Sequence, residues 1–120
     1  MGKLEIRREI SNLRYENRLI RSKINQCQKA IGKLNDIYEK LDSALTKMDS
    51  ADRLLESNIV NNQAADKGYA SNSIEDIKNV LSKINNLINK IHSKINNYNN
   101  NINSNENRIA QLEYELRNMD

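Results

Sequence analysis

The chain has 120 residues, a formal net charge of +3, and neither Phe, Trp nor Pro. Only 38% of the residues are hydrophobic, which is too few for a wide globular core but enough for a narrow core between two helices. The lack of proline, together with only three glycines, favours long helices and excludes a fold built from strands and tight turns. We therefore predict an all-α protein.

The first predicted helix has an apolar residue at alternating spacings of three and four residues, from Ile6 to Ile59. This is the heptad pattern of a coiled coil, in which positions a and d face a partner helix. Fourteen of the sixteen positions are apolar, and the exceptions are Asn17 and Asp52. We predict that this helix covers about residues 4 to 62 and that the two polar residues help to set the register.

The pattern loses its phase once, between residues 61 and 73. Gly68 is typical of the C-terminal end of a helix, and the run from Ser73 to Asp76 resembles an N-terminal capping box. We therefore predict a turn over about residues 63 to 73. A single helical hairpin would then span residues 1 to 120.

The second predicted helix covers about residues 74 to 118 and repeats the heptad pattern from Ile74 to Met119, with Asn105 as its one polar position in fourteen. Charge alternates along the first helix: residues 1 to 33 carry nine Lys or Arg and three acids, whereas residues 34 to 57 carry six acids and three bases. The second helix likewise begins basic and ends acidic. Folding back antiparallel sets opposite charges beside each other, so we predict an antiparallel coiled-coil hairpin.

Two registers satisfy the rule that a positions face d positions in an antiparallel pair. The one we prefer places Tyr38 level with Tyr98 and Ile59 against Ile77, and it leaves a short turn. The other places Asn17 opposite Asn105, where two buried amides could bond to each other. That second register would leave residues 49 to 73 as a long protrusion.

Some positions beside the a and d stripe are also apolar or small, but only in the half of the hairpin near the turn. Within the hairpin, each helix can cover only the a and d positions of the other and not this wider apolar face. We therefore predict that another helical chain docks there and that the hairpin is part of a larger helical bundle. The predicted docking residues are Ala30, Ile37, Ala44, Ala51, Val80 and Leu87.

The sequence contains no pattern that we associate with catalysis, cofactor binding or a metal site. The single histidine, His92, has no second His or Cys at ligand spacing, and Cys27 occupies an apolar stripe position. There is neither a run of apolar residues that would span a membrane nor an apolar secretory signal, and the basic N-terminal third lacks a nucleic-acid recognition pattern. We expect a protein that is not an enzyme, binds no nucleic acid, does not insert into membranes and is made in the cytoplasm.

The length, the two striped helices and the mid-chain turn over residues 61 to 73 resemble the small helical partner proteins of LXG toxins in Gram-positive type VII secretion. These are similar in shape to the WXG-type secreted hairpins. The resemblance implies an adaptor or chaperone that binds the helical N-terminal domain of a toxin, alongside a second small helical protein, and is co-secreted with it. It also implies an export signal at Leu116 and Asp120.

An alternative from another class is a self-assembling structural coiled coil or a prefoldin-like chaperone arm. In that case Asn17, Asp52 and Asn105 would fix the register and the number of chains in a homo-oligomer. An LXG reading frame adjacent to the gene would favour the adaptor.

Overall fold

The computed structural model describes the backbone of residues 2 to 58 and 64 to 119, and the side chains of residues 2 to 54 and 72 to 119. Helix α1 runs over Lys3–Asn58 and helix α2 over Ala64–Arg117. No strand occurs in these described residues. The two long helices pack against each other, which confirms the predicted all-α class.

The chain divides into two compact units, and each helix contributes one stretch to each unit. The first unit comprises Met1–Ala30 and Ile91–Asp120. Its α1 and α2 stretches run antiparallel, because Arg14 bonds Glu113 at 2.6 Å while Arg21, further along α1, bonds Glu106 at 2.9 Å. The core consists of Ile6, Ile10, Ile109 and Leu112, with Leu13, Leu116 and Met119 packed against it.

The second unit comprises Ile31–Lys90 and holds the end of α1 and the beginning of α2. Among the side chains of this unit that the structure describes, the buried ones come from α2: Ile74, Leu81 and Ile84. The α1 stretch contributes partly buried side chains, namely Leu34, Tyr38, Leu41, Leu45 and Met48. This unit therefore has a narrow core, as the low hydrophobic content predicts.

The predicted stripe is confirmed wherever side chains are described. Every predicted a or d position of α1 from Ile6 to Asp52, and of α2 from Ile74 to Met119, is buried or partly buried. Most other positions are exposed. The two helices therefore meet along the heptad seam, which fixes the flanking e and g positions on either side of it.

The preferred register, with Tyr38 level with Tyr98, is wrong. The amide nitrogen of Asn105 donates a hydrogen bond to Oδ1 of Asn17 at 2.9 Å, so the second register applies in the first unit. The Tyr38 register would have set Asn17 opposite Met119 and left its buried amide unpaired, which costs about 1 to 3 kcal/mol. Ile59, which the same register would have set against Ile77, lies outside the described residues.

The predicted turn over residues 63 to 73 is also wrong, because α2 begins at Ala64. Gly68 and Ser73 lie within this helix and do not end or begin one. Alanine has the highest helix propensity, and Ala64, Ala65 and Ala70 offset the cost of one interior glycine. Residues 49 to 58 and 64 to 73 continue the two helices, and the expected end of α1 near residue 62 lies outside the described residues.

Candidate protein-docking surface

Five of the predicted docking residues lie in the second unit, and we call them the g strip: Ile37, Ala44, Ala51, Val80 and Leu87. Each is exposed. The exposed fraction is 47% for Ile37, 43% for Val80 and 47% for Leu87, which is high for large apolar side chains. Ala30, the sixth predicted residue, is partly buried and belongs to the first unit.

The g strip forms one surface because of antiparallel coiled-coil geometry. When a positions face d positions, the g positions of both helices line one flank of the seam and the e positions line the other. The first unit shows this arrangement directly: Glu9 and Arg108, both at g, bond at 3.1 Å, whereas Arg14 and Glu113, both at e, bond at 2.6 Å. In the second unit the same rule places the apolar g residues of both helices side by side.

The opposite flank of the second unit is polar. Its described e positions are Asn35, Asp42, Asp49, Lys78 and Asn85. Asp49 forms an ion pair with Arg53 at 3.1 Å. The apolar surface is therefore confined to one flank of this unit, where a helix could lie along it.

The heptad pattern did not predict several other exposed apolar side chains, namely Leu4, Tyr15, Leu19, Leu54 and Tyr114. They occupy b, c and f positions on the outer surfaces of the helices, so the stripe pattern gave no signal for them. The guanidinium of Arg18 lies over the ring of Tyr15, with 5.8 Å between its central carbon and the centre of the ring. Leu54, at the c position three residues after Ala51, extends the apolar surface of the g strip.

The predicted register-setting residues differ in how well their polar atoms are satisfied. Asn17 is only 3% exposed and accepts the hydrogen bond from Asn105. Asp52 is partly buried in the second unit, and its buried Oδ1 has no hydrogen-bond partner. The amide pair is thus a satisfied polar contact, whereas Asp52 places an uncompensated oxygen in the seam.

The predicted export signal falls at the end of α2. Leu116 packs against the core of the first unit, and Asp120 lies outside the described residues. The helix ends at Arg117, where the Asn118 side chain donates to the carbonyl of Tyr114 at 3.0 Å. Recognition of Leu116 would therefore require contact with a side chain that the hairpin already uses.

The isolated candidate residues occupy ordinary helix positions. His92 is exposed and Cys27 is a partly buried free thiol. Among the described residues no group of three His, Cys, Asp or Glu side chains is placed to hold a metal ion. Within that same part of the chain, neither helix has a segment long and apolar enough to cross a membrane.

Comparisons with protein-family models, curated proteins and solved structures found no match.

Proposed function

We propose that the chain is a non-catalytic adaptor or chaperone that binds a helical partner along the g strip. The exposure of Ile37, Val80 and Leu87 carries this proposal. Fully burying an exposed Val, Leu or Ile side chain contributes about 1.5 to 3 kcal/mol, and about half of that is available here because each of the three is already more than half covered. Three such residues on one flank supply a seam for a third helix, in the way that amphipathic helices fill apolar grooves.

The partner in this proposal is the helical N-terminal domain of an LXG toxin, which the chain binds in the cytoplasm and accompanies through type VII export. The size of the chain and its helical pairing support this identity. A second small helical protein would complete the bundle. The toxin supplies the helix that covers the g strip, and the adaptor keeps that helix from aggregating before export.

The alternative is a self-assembling coiled coil. The satisfied Asn17 and Asn105 pair counts against it, because the amides that would fix a homo-oligomer already bond within one chain. Co-expression with the neighbouring reading frames and native mass measurement would separate the two. The adaptor predicts a complex with a different chain, and the alternative predicts multiples of 13.9 kDa.

The direct test is a pull-down of the toxin domain with the Ile37→Glu/Leu87→Glu variant. Forcing two carboxylates into a desolvated contact should reduce binding by more than 100-fold, roughly 3 kcal/mol. The matched control is Leu19→Glu/Tyr114→Glu, which places charge on exposed apolar residues of the first unit. Equal loss of binding in both variants would show that the g strip is not the docking site.

A further inference from the structure

Lysines border the g strip on its two outer edges. On α1, Lys33, Lys40 and Lys47 occupy c positions, three or four residues from Ile37 or Ala44, and so lie on the adjoining helix surface. On α2, Lys83 and Lys90 have the same relation to Val80 and Leu87. All five lysines are exposed.

These lysines are available for an external partner. Among the described residues, none of the five has a carboxylate within the 4.0 Å of an ion pair. The described acids of the α1 stretch lie elsewhere: Asp36 at f, Glu39 at b, Asp42 and Asp49 at e, and Asp52 at a in the seam. Asp76, at one end of the α2 edge, is the only acid at the described c positions of this unit.

From this arrangement we infer that the g strip binds an amphipathic helix of another protein whose apolar seam is flanked by Glu and Asp residues. This inference rests on the proposed docking role of the strip. An apolar strip between two basic edges is complementary to a helix with an apolar seam between two acidic edges. The lysine stems would also cover part of the seam while their ammonium groups reach the partner's carboxylates.

A second copy of the chain is a poor occupant of the same surface. In a two-fold symmetric contact the same patch is used on both molecules, so lysine edges would face lysine edges. Such like-charge contacts suppress association. The charge pattern thus selects against self-association and for a partner of different sequence.

Exposed ion pairs add little to the stability of a complex, but the charges that form them strongly affect how fast the two partners associate. The lysine edges should therefore act mainly on the association rate. That rate should fall steeply as salt rises from about 0.01 M to about 1 M, because the Debye length shortens from roughly 30 Å to roughly 3 Å.

The test uses the full chain and two synthetic peptides of about four heptads. Both peptides carry leucine at a and d; one has glutamate at every flanking position and the other has lysine. We expect the glutamate peptide to bind at least about tenfold more tightly at low salt. Lys40→Glu/Lys83→Glu should weaken that preference strongly, because two glutamates then stand among the three remaining lysines. Lys29→Glu/Lys78→Glu, which makes the same change in net charge away from the strip, should preserve it.

Equal affinity for the two peptides, or equal effects of the two lysine variants, would overturn the inferred acidic partner. If Ile37→Glu/Leu87→Glu still abolished peptide binding, the docking role itself would stand. Absence of any binding that depends on Ile37 and Leu87 would overturn both. A dimer in sedimentation that Ile37→Glu disrupts would identify a second copy as the occupant and would also overturn the inference.

Discussion

Asn17 and Asn105 bond to each other through their side-chain amides in the core of the first unit, at 2.9 Å. Nδ2 of Asn105 can donate to Oδ1 of Asn17 only when the two helices are aligned in this register. A shift of one heptad would leave both amides facing apolar side chains. The pair therefore specifies alignment, while the surrounding isoleucines and leucines supply most of the stability.

Asn17→Leu should destabilise the chain by about 1 to 3 kcal/mol, because Asn105 would keep its polar amide in the seam without a partner. Asn17→Leu/Asn105→Leu should recover that loss or exceed the stability of the wild type. Urea unfolding of the two single variants and the double variant would give the coupling energy. Additive effects would contradict a direct interaction between the amides.

Arg108→Glu should cost about 1 kcal/mol, because it replaces the ion pair with Glu9 by a contact between two carboxylates. The exchanged variant Glu9→Arg/Arg108→Glu should restore most of the lost stability. Thermal unfolding at low and high salt would measure both effects, which should shrink as salt increases. Asn101→Glu, at a neighbouring g position, is the control, and an equal effect there would argue against a specific pair.

Asp52→Leu should raise the free energy of unfolding by about 1 kcal/mol or more, since it removes a buried oxygen that has no hydrogen-bond partner. Asp42→Leu, at an exposed position of the same helix, should change stability little. Urea unfolding would compare the two variants. A loss of stability in Asp52→Leu would mean that the carboxylate has a stabilising role in the seam.

Gly32→Ala should stabilise the chain by about 0.5 to 1 kcal/mol. Gly32 lies in the interior of α1, and an added Cβ would meet nothing within 4 Å. Alanine removes backbone freedom from the unfolded chain without creating a clash. Thermal unfolding monitored by circular dichroism would measure the change, and a decrease in the midpoint would contradict a regular helix at this position.

Ile37→Glu/Leu87→Glu should change the free energy of unfolding by less than about 1 kcal/mol, since surface substitutions away from packed contacts have small effects. Both side chains are 47% exposed in the free chain. Leu112→Ala, which truncates a side chain with 0% exposure, should instead cost about 2 to 5 kcal/mol. If the glutamate variant unfolded as readily as Leu112→Ala, the g strip would be part of the hairpin core.

The heptad seam could be predicted from the sequence because burial in a coiled coil follows directly from spacing along the helix. Ile6 and Leu112 lie in the core for this reason. The register could not be found in the same way, because all apolar layers are similar and only the polar pair distinguishes them. A short turn favours the register with Tyr38 level with Tyr98, but the hydrogen bond between Asn105 and Asn17 determines the alignment.

The prediction of a turn over residues 63 to 73 was wrong for a different reason. Gly68 and the serine at position 73 are local signals, and local preferences of about 1 kcal/mol yield to the continuation of a long helix. The apolar residues of the candidate docking surface could be found by extending the heptad pattern to position g. The lysines on its edges could not be predicted as part of this surface. Charged residues at c positions are common on any solvent-exposed helix, and these border a binding surface only if the adjoining g positions are exposed.

The lone thiol offers a use unconnected with any partner. Cys27 sits partly buried in the seam of the first unit, so local separation of the two helices should increase the access of a labelling reagent to its thiol. The rate of thiol labelling should therefore report local separation of the two helices near Cys27 under native conditions. The wild-type chain carries this reporter already, and no cysteine has to be introduced or removed to read it.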